Sequence, residues 1–422
     1  MLAGRTTGID NRPNRPAAGR DRSSYSMLRP SSSRRRLGVD CNDLTSGSVF
    51  PVRVMIVAES FTPSVNGVTG SVLQVLAHLR RSGHPAVVAA PDGGPDDHDG
   101  TPVLRMPAVS VPGAPELPVG LPTRRLQQEM ARFGPDVVHL ASPFVLGAGG
   151  LAAAHRLGVP TVAVYQTDVA GFVGAYGAGT TARAAWRWSC RLHRQADRTL
   201  APSAATVEAL TAAGVDRVHL WGRGVDAARF APARRDPVLR ARLASGDELL
   251  VGYVGRLAPE KQVERLAALS RVAGVRLVVV GDGPTRTALE DRLPAAAFLG
   301  MLAGDELARA YATLDVFVHT GPFDTFGQAV QEAMASGVPV VALDAGGPRE
   351  LVRHGHSGYL VPPDDPGALQ AAVLRLRDDA VLRHSFSRAA RLAVRGRSWP
   401  AVCDELLDHY RAVVDPPVAR AA

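Results

Sequence analysis

The sequence predicts an α/β protein with two domains, each a parallel sheet covered by helices on both faces. Short apolar runs, which are typical of buried strands, alternate with segments whose apolar residues recur at helical spacing. The alternation begins near residue 52 and begins again near residue 249, and glycine and proline interrupt it between Trp221 and Pro232. Alternating strands and helices favour parallel sheets, and a series that restarts favours a second domain of similar architecture.

The first series contains five predicted strands and two predicted helices. The strands are Val52–Ala58, Val87–Ala90, Val137–Leu140, Thr161–Tyr165 and Arg198–Ala201. Between the first two, Ser71–Ser82 places four apolar residues at helical spacing and is followed by Gly83, a common residue after a helix. A second helix ends at Gly158, before a strand that is entered through Pro160.

The second series has the same organisation. Its predicted strands are Leu249–Tyr253, Arg276–Val280, Val316–His319 and Val338–Leu343, and its predicted helices are Val263–Ala273, Thr285–Leu293 and Gly327–Ser336. Open parallel sheets bind ligands at the carboxyl ends of their strands. Two Rossmann-like, doubly wound domains that face each other therefore predict a binding site in the cleft between them.

These patterns divide the chain into four parts. Residues 1–50 contain nine Arg and four Asp without periodic apolar positions, which predicts a disordered basic extension. Residues 51–220 and 221–395 form the two predicted domains. Residues 396–422 are predicted to form a helix that packs back toward the first domain, followed by a tail.

Composition argues against several classes of function. The net charge of +8 comes mostly from residues 1–50 and only 5% of residues are aromatic, so nucleic-acid binding is not indicated. Cys41, Cys190 and Cys403 are isolated and form neither a disulfide framework nor a metal-ligand spacing. We find neither an export signal nor an apolar run long enough to span a membrane, and therefore expect a cytoplasmic protein.

Two cations follow the first strand of the second domain. Arg256 and Lys261 lie in the loop Gly255–Lys261 at the mouth of the sheet, where such a pair suits an anionic, phosphate-like ligand. The alternative is an ordinary solvated loop. Lys261 is the single lysine beside 47 arginines, and a site that needs a compact point charge resists replacement by arginine.

A second candidate region joins a loop to a helix. Asp324 lies in the loop Gly321–Gly327, and Glu332 lies two turns into the helix that follows. A helix N-terminus favours anions such as a diphosphate, and two carboxylates could hold sugar hydroxyls on either side of it. The alternative is a capping aspartate and a surface glutamate.

Three positions in the first domain are further candidates. Gly67 follows the first strand and precedes a helix, where backbone N–H groups can approach a phosphate, although a simple glycine turn is the alternative. Asp168 and His139 lie at strand ends and could act on an acceptor hydroxyl. A polar residue at the end of a strand is, however, often structural.

In combination, these motifs resemble those of the retaining GT-B glycosyltransferases of family 4. The resemblance covers roughly residues 52–412 and rests on Asn66-Gly67-Val68, Gly255-Arg256-Leu257, Gly281-Asp282-Gly283-Pro284, Asp324-Thr325-Phe326-Gly327, Ala335-Ser336-Gly337-Val338-Pro339-Val340 and Gly355-His356-Ser357-Gly358. It implies the GT-B fold, in which two Rossmann-like domains face each other across a cleft, and sugar transfer from a nucleotide sugar.

The segments Glu59–Val68 and Tyr165–Phe172 further resemble the actinobacterial GDP-mannose-dependent α-mannosyltransferases. Those enzymes act on lipid acceptors such as glucuronosyl diacylglycerol or phosphatidylinositol mannosides. The resemblance therefore implies GDP-mannose and a lipid as substrates, and no metal or other cofactor.

The resemblance also implies roles for matching residues. Arg256 and Lys261 would neutralise the leaving diphosphate, and Glu332 would bind the nucleotide ribose. The other positions that would contact the donor are Gly67, Gly283, Asp324, Phe326 and Gly327. The sugar would be transferred with retention by front-face attack of the acceptor hydroxyl, and the cations would serve in place of a metal.

Two positions depart from the family pattern. Asp324 stands where the family usually has a glutamate, and the shorter side chain changes the reach of its sugar contact. Gln166 stands where many relatives have a histidine, which leaves Asp168 as the better polar candidate near the acceptor.

A run of arginines at helical spacing predicts a basic helix. The run consists of Arg183, Arg187, Arg191, Arg194 and Arg198, with Trp186 and Trp188 among them. A basic face beside aromatic residues is typical of a helix that contacts anionic lipid. We predict that Arg187, Arg191 and Arg194 contact the inner face of the plasma membrane; the alternative is a core-packed helix with a solvated basic face.

Other functions are left open by the residues. A transferase of the same fold could use another nucleotide sugar or a soluble acceptor. A two-domain nucleotide-sugar binding protein without catalysis is the alternative from a different class. A pyridoxal-dependent phosphorylase is disfavoured, because its Schiff-base lysine would have to be Lys261, in the diphosphate loop.

Overall fold

The structure, a computed structural model, describes residues 51–64, 66–111, 114–168 and 179–415. The sheets described below belong to one unit of the chain, residues 48–422. The predicted basic extension, residues 1–50, lies outside the described residues, as do residues 416–422 of the predicted tail. Part of the segment Tyr165–Phe172 also lies outside them, since the description stops at Asp168.

The first half of the chain builds an eight-stranded sheet and a separate hairpin. Its strands are β1 Val54–Ala58, β2 Ala86–Pro91, β3 Asp97–His98, β4 Thr101–Met106, β5 Ala108–Val111, β6 Ala114–Gly120, β7 Val137–Ala141, β8 Thr161–Val164, β9 Arg198–Ala201 and β10 Val218–Leu220. Its helices are α1 Gly67–Arg81, α2 Arg124–Phe133, α3 Leu146–Leu157, α4 Gly179–Gln195 and α5 Ala204–Ala212. The sheet order is β10-β9-β8-β7-β1-β2-β4-β3, and β5 pairs with β6. Every pair in the large sheet is parallel except β3 with β4.

The second half builds a six-stranded, fully parallel sheet. Its strands are β11 Leu249–Val254, β12 Val275–Val280, β13 Ala297–Gly300, β14 Val316–His319, β15 Val340–Leu343 and β16 Gly358–Val361. Its helices are α6 Pro237–Leu243, α7 Arg286–Arg292, α8 Gly304–Thr313, α9 Gln328–Ala335, α10 Pro348–Leu351, α11 Pro366–Asp378, α12 Ala380–Val394 and α13 Trp399–Val414. The sheet order β13-β12-β11-β14-β15-β16 reverses direction between β11 and β14. This reversal is the topological switch point of a Rossmann sheet.

The predicted α/β architecture of two Rossmann-like domains is confirmed, with one helix corrected. Residues Val263–Leu269 form a 3-10 helix instead of the predicted α-helix Val263–Ala273. The buried residues of this segment are Val263, Leu266 and Leu269. Their three-residue spacing matches the period of a 3-10 helix, which repeats about every three residues, so tertiary packing prevails over the helix-forming composition.

Both faces of each sheet are buried. In β1, Val54, Ile56 and Ala58 join one apolar cluster, whereas Met55 and Val57 join the cluster on the opposite face. This alternation follows from the two-residue period of a strand. Because both faces are covered, the strands read as continuous apolar runs, which explains why the sequence predicted them.

Two chain segments join the two halves. The segment after β10 carries Trp221, whose indole nitrogen donates to the carbonyl of Val402 in α13 at 2.8 Å. Helix α13 packs in the core of the first sheet through residues that include Leu406 and Tyr410. The segments run side by side, because Val225 pairs with Ser398 in a parallel bridge. The segment that leads from the first half to the second half and the segment that leads back therefore lie next to each other.

Candidate active site

The candidate site lies where the second sheet reverses its strand order. The loop after β11 contains Arg256 and Lys261, and the loop after β14 contains Asp324. The Thr320 hydroxyl donates to the carbonyl of Lys261 at 2.7 Å and so joins the two loops. Both loops follow the carboxyl ends of neighbouring strands, so the predicted site residues lie at one edge of the sheet. Parallel sheets bind ligands at this kind of position.

The carboxylate of Asp324 lies between the ammonium group of Lys261 and the imidazole of His319. The Lys261 ammonium donates to one carboxylate oxygen, and His319 Nε2 lies 2.6 Å from the other. Burial alone would raise the pKa of Asp324, but Lys261 and His319 together hold that pKa below its usual range. Asp324 is therefore a carboxylate, and it forms an ion pair with Lys261.

The other predicted cation lies at the opposite end of the same loop. The Arg256 guanidinium lies 3.5 Å from a carboxylate oxygen of Glu260, and the carbonyl of Arg256 accepts from the Tyr253 hydroxyl at 3.0 Å. Glu260 is buried, so the loop is anchored from inside. Arg256 and Lys261 thus belong to one tightly turned segment rather than to a freely solvated loop.

Glu332 lies inside α9, and burial raises its pKa to about 7, although Gln328, Tyr311 and Arg223 act in the opposite direction. The Gln328 amide donates to a Glu332 oxygen at 3.4 Å. Helix α9 begins after Gly327 without a side-chain cap. Its first turn therefore lacks a capping side chain, and Glu332 follows as the fifth residue of the helix.

Two predicted glycines allow close approaches between loops. A Cβ on Gly283 would lie 2.3 Å from the carbonyl oxygen of Leu257. Gly327 has a φ of 92°, and a Cβ there would lie 2.9 Å from Pro348. Phe326, next to Gly327, is buried. These positions shape the site through packing, and their contact with a donor stays a prediction.

In the first half, two residues of the segment Glu59–Val68 cap helices. Asn66, which precedes Gly67, accepts from the backbone nitrogens of Val68 and Thr69, both at 3.0 Å. The carboxylate of Glu59 accepts from the nitrogens of Phe144 and Gly147 at 2.6 and 2.8 Å, at the start of α3. These contacts fix the loop that presents Gly67, whose contact with phosphate stays a prediction.

The placement of His139 corrects the expectation that it acts on an acceptor hydroxyl. His139 is 1% exposed, and its Nδ1 lies 2.6 Å from the Tyr410 hydroxyl. Burial lowers the pKa of His139 to about 3. His139 lies in the middle of β7 and not at its end, and its imidazole is buried in the core beneath α13. Asp168 accepts from the Tyr165 hydroxyl at 3.4 Å and is partly exposed, so its role stays a prediction.

Helix α4 presents the predicted basic face. Arg183, Arg187, Arg191 and Arg194 are exposed, whereas Cys190 and Leu192 are buried. Trp188 is 39% exposed, and its indole nitrogen donates to the carbonyl of Phe144 at 2.8 Å. The fifth arginine of the run, Arg198, is not on this helix, because β9 begins there. The basic face is thus one helical turn shorter than the sequence predicted.

Sequence reasoning missed two residues of the site. His319 is the last residue of β14 and lies directly before the Asp324 loop. Arg223 lies between two glycines in the segment that joins the halves, and its buried guanidinium contacts Gly67 and Gln166. A polar residue at the end of the switch-point strand could have indicated His319, whereas no local pattern marks Arg223.

Within the described ranges, no three His, Cys, Asp or Glu side chains come together as a group able to hold a metal ion. No helix of the described part of the chain is long and apolar enough to cross a bilayer. The prediction that transfer needs no metal is not tested by these observations.

Two Rossmann-like sheets with paired cations and carboxylates at a switch point define a GT-B glycosyltransferase. Residues 65–229 match the family model described as glycosyltransferase family 4, and residues 248–379 match that of the glycosyl transferases group 1. A Mycobacterium tuberculosis protein named GDP-mannose-dependent alpha-mannosyltransferase is 55% identical over 88% of this chain and 99% of its own. The protein of that name from Mycolicibacterium smegmatis is 54% identical over 88% and 100%. The chain belongs to glycosyltransferase family 4 and is an enzyme of that class.

Solved structures agree on the fold. HepE of Anabaena in complex with UDP has a TM-score of 0.71 at 21% identity, covering 86% of this chain and 100% of its own. Sucrose-phosphate synthase from Thermosynechococcus elongatus has a TM-score of 0.71 at 22% identity, covering 85% and 98%. At this level of identity, the likeness establishes the GT-B architecture alone.

Proposed function

We propose that this glycosyltransferase moves mannose from GDP-mannose, with retention of configuration, to a lipid acceptor at an anionic membrane surface. The observation that carries the donor assignment is the 55% identity, over nearly the whole length of the relative, to a protein named for GDP-mannose. A match of this length covers the loops of the second sheet, where the donor would bind.

The geometry supports the donor half of this proposal. Lys261 and Arg256 can stabilise the negative charge that develops on the diphosphate as the sugar leaves. When the diphosphate takes Lys261, the carboxylate of Asp324 becomes available for the hydroxyls of the sugar, while His319 keeps it in place. Glu332 can accept hydrogen bonds from the two ribose hydroxyls.

Sugar transfer with membrane lipids tests the donor. Purified protein is incubated with actinobacterial membrane lipids and either radiolabelled GDP-mannose or radiolabelled UDP-glucose, and the labelled lipids are separated. We expect label in lipid from GDP-mannose alone. Label from UDP-glucose alone would refute the mannose assignment and leave the class of enzyme intact, and label only in water-soluble products would refute the lipid acceptor. The anomeric configuration of the product, read by NMR, tests retention.

The membrane part of the proposal is supported by α4. Its four exposed arginines and the exposed Trp188 lie on a helix of the half that would carry the acceptor. Arginine attracts anionic headgroups, each contributing about 1 kcal/mol near the surface, and a tryptophan ring suits the headgroup region. A lipid acceptor could then reach the cleft without leaving the bilayer surface.

Vesicle co-sedimentation tests this contact. The triple variant Arg187→Glu, Arg191→Glu and Arg194→Glu should lose binding to anionic vesicles. The matched control reverses Arg388, Arg391 and Arg395, which are equally exposed at the other end of the chain, on and just after α12. We expect the control to retain most of its binding. Undiminished binding of the α4 variant, or equal loss in both variants, would overturn the contact through α4.

A further inference from the structure

Arg223 places a buried cation across the junction of the two halves. Its side chain is 6% exposed, although it belongs to the segment that joins β10 to the second sheet. One guanidinium nitrogen donates to the carbonyl of Gly67 at 2.8 Å. The other terminal nitrogen donates to the side-chain oxygen of Gln166 at 2.9 Å. Arg223 therefore holds two separate loops of the first half at once.

The backbone around Arg223 is fixed to the donor half. The Gln331 amide donates to the carbonyl of Arg223 at 3.0 Å, and the Gln328 amide donates to that of Gly224 at 3.2 Å. Both glutamines belong to α9, the helix that carries Glu332. A continuous chain of hydrogen bonds thus runs from α9 through Arg223 to the loop of Gly67.

The charge of Arg223 is held by neutral partners. Burial lowers its pKa to about 10, while Asp324 and Glu332 act in the opposite direction, so the guanidinium is charged at neutral pH. Among the ion pairs formed between described residues, none within 4.0 Å includes Arg223. A buried cation with neutral partners is costly, and a surface role would not require it.

The guanidinium also determines how the Gln166 amide is turned. An arginine side chain has donors and no acceptor, so the amide oxygen must face Arg223 and the amide nitrogen must face away. Gln166 is 7% exposed, and its amide nitrogen is buried without a partner among the described residues. The backbone carbonyl of Gln166 accepts from Thr325 of the Asp324 loop at 3.0 Å. A buried unpaired N–H in this position calls for an oxygen from a ligand.

We propose that Arg223 is a positioning residue for sugar transfer, which turns the Gln166 amide so that its N–H meets an oxygen of the bound nucleotide sugar. The inference rests on the proposed donor site between Gly67 and α9. Arg223 itself contacts no substrate; it acts through Gln166 and through the loop of Gly67.

Two substitutions separate this role from a structural one. In Gln166→Glu, one carboxylate oxygen still accepts from Arg223 and forms an ion pair, while the other replaces the N–H donor with an acceptor. We expect the melting temperature to be unchanged or higher and kcat to fall about 100-fold, in the range that loss of one positioned donor produces. A purely structural pair predicts unchanged kcat.

Arg223→Met removes the guanidinium and releases the amide. We expect kcat to fall about 100-fold while the KM for the donor rises less than about threefold, because Arg256, Lys261 and Glu332 supply most of the ground-state binding. Arg223→Lys should recover about tenfold over Arg223→Met, since one ammonium can still bond the amide oxygen. Arg309→Met, an exposed arginine of α8, is the matched control and should retain full activity.

The double variant of Arg223→Met and Gln166→Glu decides whether Arg223 acts through the Gln166 amide or has an independent, structural role. Because both changes remove the same N–H contact, the double variant should be no more than about threefold slower than the slower single variant. Independent, multiplying losses would overturn the proposal, as would full activity of Gln166→Glu. The assays use whichever donor the unaltered protein accepts, so a protein that uses UDP-glucose would refute the GDP-mannose assignment and still test Arg223.

Discussion

The two halves of the molecule meet the cleft with different chemistry. In the second half, ionisable side chains lie at the carboxyl edge of the sheet, and the pKa values of Asp324 and Glu332 are shifted in opposite directions. In the first half, polar side chains form structural hydrogen bonds: Glu59 caps α3, and His139 bonds the Tyr410 side chain inside the core. The second half therefore supplies charge, and the first half supplies position.

This difference has a physical basis. Under the proposed function, a leaving diphosphate carries negative charge that has to be stabilised, which would account for the cations Arg256 and Lys261 in its binding loop. An acceptor hydroxyl carries no charge before reaction, so the facing half needs accurate placement more than electrostatics. The predictions below test whether activity depends on the two halves in this unequal way.

The largest effect is expected from Lys261→Ala. Removing the ammonium that pairs with Asp324 takes away a charge proposed to act on the diphosphate, so kcat/KM should fall about 1,000-fold. The fold should be retained, because Lys261 and Asp324 are both partly exposed and His319 still bonds Asp324. Steady-state transfer kinetics and thermal unfolding measure the two effects.

Arg265→Ala is the matched control for that variant. Arg265 follows closely in the chain, but its guanidinium bonds Gln262 and the carbonyl of Pro363, away from Asp324. We expect a change in kcat/KM of less than about threefold. Equal losses in Lys261→Ala and Arg265→Ala would mean that the local cationic field, rather than the specific ammonium, supports transfer.

A smaller effect on activity and a pH-dependent effect on stability are expected from Glu332→Gln. The folded-state pKa of about 7 lies above the ordinary value of 4.5. The carboxyl therefore contributes stability that is present below pH 4.5 and lost as the pH rises through 7. As the pH rises from 5 to 8, the unaltered protein should lose on the order of 2 kcal/mol in its free energy of unfolding through this group. Glu332→Gln should not show this loss, so its free energy of unfolding should rise by that amount relative to the unaltered protein.

Glu332→Gln should weaken donor binding at pH 8, although it should make the folded protein more stable at that pH. An amide accepts ribose hydroxyls less well than a carboxylate, so the KM for the donor at pH 8 should rise about tenfold in Glu332→Gln. Urea unfolding at several pH values and initial-rate kinetics provide the two measurements. A pH profile of stability that is the same in both proteins would show that Glu332 titrates normally.

A contact between the halves gives the next smaller effect. The two carboxylate oxygens of Glu350 accept from the backbone nitrogens of Ala204 and Ala205, both at 2.8 Å, at the first turn of α5. A helix cap of this kind contributes about 1 kcal/mol. Glu350→Ala should therefore reduce the fraction of molecules in which the two halves are held together by this contact. We expect kcat to fall about three- to fivefold, whereas the neighbouring Arg349→Ala should leave it unchanged. A faster Glu350→Ala enzyme would instead indicate that opening limits turnover.

The sequence was most informative where local pattern determines structure. Strands buried on both faces appear as continuous apolar runs, and β1 and β11 were therefore predicted nearly to the residue. The loops of Lys261 and Asp324 directly follow such strands, so their meeting at one edge followed from the topology. The segment Val263–Leu269 departed from its predicted form and is a 3-10 helix, because its packing period lies outside the sequence pattern.

The sequence was least informative where two distant segments share one contact. Arg223 bonds Gly67 across 156 positions, and His139 bonds Tyr410 across 271 positions. Such contacts depend on how the chain crosses between the sheets, which periodicity does not encode. Arg223 was consequently interpreted as part of the segment between the domains. His139 was predicted to be a site residue because the helix that buries it lies at the other end of the chain.

The smallest effect on activity is expected from Tyr410→Phe. The variant removes the hydroxyl bonded to His139 Nδ1 and leaves the ring packing, in a core where both residues are almost fully buried. Losing a partner for a buried polar atom should lower the free energy of unfolding by about 1 to 2 kcal/mol. Transfer kinetics should stay within about twofold, because neither side chain reaches the cleft. A large loss of kcat without loss of stability would return His139 to the acceptor site, and the first half would then supply chemistry as well as position.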